Sequence, residues 1–191
     1  MTTFRFDVIE TPLGQVTVVV DGETLRAVDF EDNQDRMKAL LGRHYGDVEL
    51  VQSPNKLEAT MRIAAYFDGE FSAIEKLATA TNGTEFQKNV WDVLRTIPAG
   101  ESRSYQWLAN RVGNPKASRA VGMANGANPI SIVVPCHRVI GADGRLTGYG
   151  GGIERKSWLL RHEKGGQWDH GGPQKPGINV LAMDRPLATP S

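Results

Sequence analysis

The hydrophobic period of this chain changes once, and that change limits what the chain can fold into. Through residue 30 the period is two. FRFDVI alternates, TPLG turns, QVTVVV is a β-branched run, DGE turns again and TLRAVDF follows, which reads as a meander of short strands. Beyond that point the period lengthens towards that of a helix. NQDRMKALLGRHYG ends on a glycine, and KLEATMRIAAYFDG predicts a helix with Leu57, Met61, Ala64 and Ala65 on one face. A sheet followed by helices is an α+β chain: a small N-terminal antiparallel sheet with helices, then a mostly helical C-terminal domain. Residues 71–83, FSAIEKLATATNG, lose periodicity and finish in Asn-Gly. The expected boundary falls there, between one domain at 1–80 and another at 84–165. A length of 191 residues and a hydrophobic content of 40% suit one large globular domain or two small ones.

The second half opens on TEFQ, which has capping-box spacing from Thr84 to Gln87. Phe86, Val90, Val93, Leu94 and Ile97 follow at helical spacing, and the helix is expected to stop at Pro98-Ala99-Gly100. Ser104 is placed to cap SYQWLANRV, which ends at Gly113, and a third helix, ASRAVGMAN, runs to Gly126. Two short helices across a glycine-containing turn read as a helix-turn-helix, here of winged type. The third helix is almost bare: Ala117, Ser118, Ala120, Gly122, Ala124 and Gly126 are small, and Arg119 is its one charge. Small residues suit close approach to a partner, such as a minor groove about 6 Å wide, and equally suit tight packing between helices. ISIVV is then an extended apolar run leading to Pro135, Cys136, His137 and Arg138. A glycine-rich loop, GADGRLTGYGGG, turns at Asp143-Gly144. IERKSWLLRHE is a last helix ending at Glu163, and 166–191 is an irregular tail rich in proline and glycine.

A net charge of zero hides a division. Residues 1–84 carry 8 Lys and Arg against 14 Asp and Glu, a balance of −6, whereas residues 85–165 carry 12 against 6, a balance of +6. The basic half either meets a polyanion or presents a face complementary to the acidic half. MTTFRFDVIETPLG lacks the layout of a secretion signal, and no apolar run reaches membrane-spanning length, so no membrane contact and a cytoplasmic location are expected. Cys136 is the single cysteine, which rules out an internal disulfide and a CxxC zinc site. No set of histidines has ligand spacing; His44, His162 and His170 are expected at the surface, and neither metal nor cofactor is expected. The reactive form of a cysteine is the thiolate, and a free thiol of pKa about 8.5 is only a few per cent ionised at neutral pH. His137 is the adjacent base. Neighbouring side chains of an extended segment point to opposite faces, so a bridging water is expected to carry the proton. An inert buried cysteine is the alternative.

SYQWLANRVGNPKASRAVGMANGANPISIVVPCHRVIGADGRLTGYGGG resembles the active-site region of the O6-alkylguanine-DNA alkyltransferases, the methylated-DNA–protein-cysteine methyltransferase family. The resemblance is dense over 85–165 and looser before it, where it implies a ribonuclease-H-like α/β domain. It implies direct, irreversible transfer of an alkyl group from O6-alkylguanine, or O4-alkylthymine, in double-stranded DNA to Cys136, once per molecule, on a nucleotide flipped out of the duplex. His137 resembles the water-mediated base and Glu163 the carboxylate that orients it. Tyr105 resembles the proton donor to the departing base, and Asn128 the hinge between recognition helix and active-site segment. Arg119 resembles the finger that fills the gap in the duplex, with Ser104, Ala117, Ser118, Ala120, Asn125 and Arg138 beside it on the DNA-binding face. Tyr149, Gly150, Val139 and Trp107 are implied to line the pocket. A monomer is expected, with cooperative assembly on DNA left open. Some family members hold zinc in the N-terminal domain; with no cysteine before Cys136, this chain has no such cysteine site. Three other readings are a lesion binder without alkyl transfer, a helix-turn-helix regulator and a cysteine hydrolase. The Cys136 thiol argues against the first, the bare third helix against the second, and the lack of an identifiable oxyanion hole against the third.

Overall fold

The computed structural model describes residues 1–166. The tail expected over 166–191, with His170, lies outside the described residues except for Gly166. β1 (Thr2–Thr11), β2 (Gly14–Asp21) and β3 (Thr24–Phe30) form the antiparallel meander. A fourth strand, β4 (Val48–Gln52), pairs parallel to β1, so the sheet is mixed, in the order β3-β2-β1-β4. That strand is short and mostly exposed, and its sequence carries no alternation that announces it.

Residues 16–20 are buried without a break because both faces of the sheet are covered. Val19 joins Phe4, Ala27, Met37 and Leu41 under α1 (Gln34–Tyr45). Val16, Val18 and Val20 point the other way, into the main core. On that side lies α2 (Glu58–Phe67), which buries Ala59, Ile63, Tyr66 and Phe67. Its expected inner face is therefore rotated: Met61 is 56% exposed.

The helices of the second half begin and end close to their sequence signals. α3 (Glu85–Leu94) carries the full capping box, with Gln87 N donating to Thr84 Oγ1 at 3.2 Å and Thr84 N donating to Gln87 Oε1 at 3.0 Å. Ser104 Oγ accepts from Trp107 N at 3.0 Å and so caps α4 (Tyr105–Arg111). α5 (Ser118–Gly126) packs against both, and the Trp91 indole donates to its Ala124 carbonyl at 2.9 Å. β5 (Arg103–Ser104) and β6 (Val139–Ile140) form a two-residue parallel pair beside them. α6 (Ile153–Glu163) closes the described fold.

The two halves interlock. Residues 71–83 are no free tether: Leu25 N donates to Ala78 O at 2.8 Å and Ala80 N to Leu25 O at 3.1 Å along the β3 edge. Farther along, Val28 N donates to Pro129 O and Ser131 N to Val28 O, each at 3.0 Å. ISIVV is consequently not an extended run. It turns, with Val134 N bonded to Ile130 O at 3.0 Å and Ile132 at a φ of 73°. A β-branched residue in that left-handed region costs on the order of 1–3 kcal/mol. Full burial of Ile132 and the hydrogen bonds on either side hold it there.

Candidate active site

The turn through Ile132 delivers Cys136, His137 and Arg138 as a buried 3-10 turn at the meeting point of α3, α5 and α6. Asn128 fixes its entry. Asn128 Nδ2 donates to Val134 O at 2.8 Å and to Cys136 Sγ at 3.2 Å, and Asn128 Oδ1 accepts from Ile130 N at 2.9 Å. From the neighbouring residue outwards runs a second chain. His137 Nε2 lies 2.7 Å from Glu163 Oε1. Arg138 holds the same carboxylate through Nη2 at 2.8 Å and Nε at 3.0 Å, and donates through Nη1 to Ile97 O at 2.6 Å. Gly100 N reaches Glu163 Oε2 at 3.3 Å. A side chain at Gly100 would meet the Glu163 carbonyl at 3.2 Å with φ already at 83°, so this approach needs glycine.

A carboxylate oxygen can only accept, so the imidazole proton sits on Nε2 and His137 Nδ1 presents its lone pair. Nδ1 is buried and bonded to no protein group among the described residues. Nor does a direct hydrogen bond join it to Cys136 Sγ there, although the two residues lie in a 3-10 turn and not in the extended segment expected for them.

The charges divide along this chain. Burial alone pushes Glu163 up, but His137 and Arg138 together outweigh it and hold its carboxyl well below the usual range. Burial drives His137 below the ordinary imidazole value against the pull of Glu163. Burial also pushes the Cys136 thiol up, opposed by the Asn128 hydrogen bond and the positive charge of Lys156. Cys136 is 4% exposed. In this conformation it is an enclosed thiol whose ionisation is opposed by burial. Lys156 is itself fully buried; burial brings its pKa down to about 8, with Cys136 acting the other way. Its ammonium donates to Thr147 O at 2.8 Å, while Thr147 Oγ1 donates to Tyr105 Oη at 3.1 Å. Tyr105 is thereby tied to the glycine loop.

Other expected site residues are sorted by burial. On α5, Arg119 and Ala120 are exposed, beside Met123 at 77% exposure, whereas Ala117 and Ala124 pack inward. The small residues thus divide: Ala117 and Ala124 pack inward, whereas Ala120 and Gly126 face outward. Asn125 and Arg138, expected on a DNA-binding face, are buried. Asn125 Nδ2 donates to Cys136 O at 3.3 Å, and Arg138 is committed to Glu163. Ser104 is half-buried and spends its hydroxyl on a cap, and Ser118 Oγ donates to Gln106 Oε1 at 3.1 Å. Val139 is sealed beside β5, and Trp107 lies between the guanidinium groups of Arg103 and Arg111, at 5.5 and 5.7 Å. Tyr149 sets its ring 6.5 Å from that of His137, with a buried hydroxyl that finds no partner among the described residues. Gly150 O accepts from Asn33 Nδ2 at 2.7 Å, and a Cβ at Gly150 would strike the Arg36 guanidinium at 2.8 Å. Two histidines expected at the surface are half-buried instead. His162 stacks on Trp158 at 4.6 Å, and His44 stacks on Trp91 at 5.9 Å.

The N-terminal half contributes residues that sequence reasoning missed. Arg36 donates to Asp29 at 2.6 Å and to the carbonyls of Gly126 and Asn128 at 2.8 and 3.0 Å. Tyr66 Oη donates to Glu163 Oε1 at 2.7 Å. Nothing local marks either one. Lys156 did leave a signal, since it lies seven residues before Glu163 on the inward face of α6, where an unpaired charge is costly.

Two family models match this chain. The 6-O-methylguanine DNA methyltransferase DNA binding domain covers residues 85–165, and the ribonuclease-like domain of the same enzyme covers residues 4–81. A methylated-DNA–protein-cysteine methyltransferase of Salmonella typhimurium is 54% identical over 158 residues, spanning 81% of this chain and 92% of its own. Its counterpart in Methanosarcina acetivorans is 43% identical over 83% of this chain and 97% of its own. The crystal structure of Mycobacterium tuberculosis OGT in complex with DNA superposes with a TM-score of 0.72 at 41% identity, over 86% of this chain and 94% of that one. Matched across both halves and to relatives of nearly the same extent, the chain belongs to the 6-O-methylguanine DNA methyltransferase family.

Proposed function

We propose that this protein repairs DNA directly, taking the alkyl group from O6-alkylguanine, and from O4-alkylthymine, in double-stranded DNA and keeping it on Cys136. The observation that carries the reading is two hydrogen-bonded pairs on consecutive residues, Asn128 on the Cys136 sulfur and Glu163 on His137. The thiol proton passes through a water to His137 Nδ1. Sulfur attacks the alkyl carbon as the bond to O6 breaks, and the guanine leaves with that electron pair. Tyr105 supplies a proton to the departing base and regains one released by the His137 imidazolium through solvent, so the net result moves one proton from thiol to guanine. The product is a thioether with no leaving group, which makes each molecule a single-use reagent.

Enclosure of Cys136 requires the damaged nucleotide to leave the stack before it can reach sulfur. That costs a few kcal/mol, and least for a damaged pair. Exposed Arg119, at the start of α5, fills the gap, and the small residues Ala120 and Gly126 let the helix enter a minor groove. The basic half supplies phosphate contacts, so affinity falls with salt. The protein works as a cytoplasmic monomer; among the described residues no helix is long and apolar enough to cross a membrane.

Incubation with a duplex carrying O6-methylguanine tests the reading. The expected outcome is a mass gain of one methyl per molecule, located on Cys136 and absent in Cys136→Ser. Repeated turnover, or no gain, rejects it.

A further inference from the structure

We infer that Tyr66, on α2 of the N-terminal half, is a positioning residue for alkyl transfer: its hydroxyl holds Glu163 Oε1 and sets how strongly that oxygen draws the proton on His137 Nε2. The chemistry rests on the proposed function, whereas the geometry does not. Tyr66 is 0% exposed, and its ring already packs edge-on against Phe67, Phe71 and His162. A phenylalanine would fill that space equally well. The hydroxyl is what the packing does not need, and it is aimed at the oxygen that His137 uses, with both donors at 2.7 Å. Burial pushes ionisation of Tyr66 well above its usual range, so the group stays a donor wherever the enzyme works.

The two carboxylate oxygens are unequally supplied. Oε1 receives Tyr66, His137 and both Arg138 nitrogens, whereas Oε2 receives Arg138 Nε and Gly100 N. Each donor on Oε1 takes a share of the negative charge that would otherwise stabilise an imidazolium at His137. Removing the Tyr66 hydroxyl returns that share to His137 and favours its protonation. The other titratable groups around the pair are Arg138 beside it, Lys156 and His162 from α6, Tyr149 from the glycine loop, and Cys136. Tyr66→Phe leaves all of them in place. His137 acts as a base only when neutral, so the variant loses rate on the acid side first.

The test is the single-turnover rate of methyl transfer from an O6-methylguanine duplex against pH. In Tyr66→Phe the acid limb should move up by about one pH unit, with transfer above the limb and duplex affinity close to wild type. Replacing Tyr66 by 3-fluorotyrosine, a stronger donor of almost the same shape, should move the limb down; this arm decides if Tyr66→Phe fails to fold. Titration of the His137 imidazole nitrogens by NMR should shift in the same directions without any substrate. Superimposable profiles and His137 titrations, with only a lower melting temperature, would reduce Tyr66 to packing and overturn the inference. If the wild type transfers no methyl, the proposed function falls by itself, and the His137 titration still decides whether Tyr66 governs the pair.

Discussion

Glu163 and Cys136 sit on neighbouring branches of one buried network, and the fold treats them in opposite ways. Around Glu163 it supplies Arg138, His137, Tyr66 and the Gly100 amide, enough to keep a carboxylate ionised out of water. Around Cys136 it supplies the Asn128 amide and the more distant charge of Lys156, too little to overcome burial. The carboxylate end is thereby locked, and it fixes the orientation and tautomer of His137. The sulfur end is held short of ionisation.

The largest way to break this contrast is Arg138→Ala. It strands a buried carboxylate without its cation and should cost about 3–5 kcal/mol in urea denaturation. A loss below about 1 kcal/mol would show that Tyr66, His137 and Gly100 suffice to hold Glu163. Asn128→Ala attacks the other end and should cost less, about 1–3 kcal/mol, because only neutral partners are left unpaired. It should also move Cys136 alkylation by iodoacetamide to higher pH, since the amide that favours thiolate is gone; an unchanged profile would mean that Asn128 only shapes the turn.

Acid sharpens the comparison most gently. His137 has a folded pKa below its unfolded value, so the unfolded chain binds the proton first and stability falls as pH drops towards the ordinary imidazole range. If folded His137 stays neutral at pH 6, the loss relative to pH 8 is about 0.8 kcal/mol for an unfolded pKa of about 6.5. Half-buried His44, also lowered by burial, adds in the same direction. Below the ordinary glutamate range Glu163 joins them, because a depressed carboxyl pKa contributes stability only above it. Chemical denaturation at stepped pH reads the sum, and a rise in stability from pH 8 to 6 would contradict it. On the alkaline side raised Cys136 and lowered Lys156 act in opposite directions.

Features written in local signals were legible in the sequence. The Thr84–Gln87 capping box, the Ser104 cap, the glycine after α4, the glycine that ends α5 and the end of α6 at Glu163 all stand where their residues announce them. PCHR set between a helix-turn-helix and a glycine loop pointed to Cys136 and His137, and the family resemblance pointed to Glu163. Features settled by distant partners were not legible. Tyr66 looked like one aromatic residue in an amphipathic helix, because its partner is 97 residues away. Arg138 looked like a DNA contact, because a cation in a basic half normally faces solvent and only a buried Glu163 draws it inward. The β4 pairing and the rotated face of α2 likewise depend on what packs from outside. ISIVV has strand propensity, yet its role in carrying Cys136 forces a turn through Ile132.

The hydrogen bonds between Val28 and residues 129–131 bear on how this protein tolerates being cut. β3 is the outer strand of its sheet, and in the intact chain its rim is occupied by residues 78–80 and 129–131. A fragment ending before Pro129 would bare the part of that rim around Val28, an unpaired template on which further copies can stack. Cleavage between the halves would therefore yield a sticky piece rather than a well-behaved miniature.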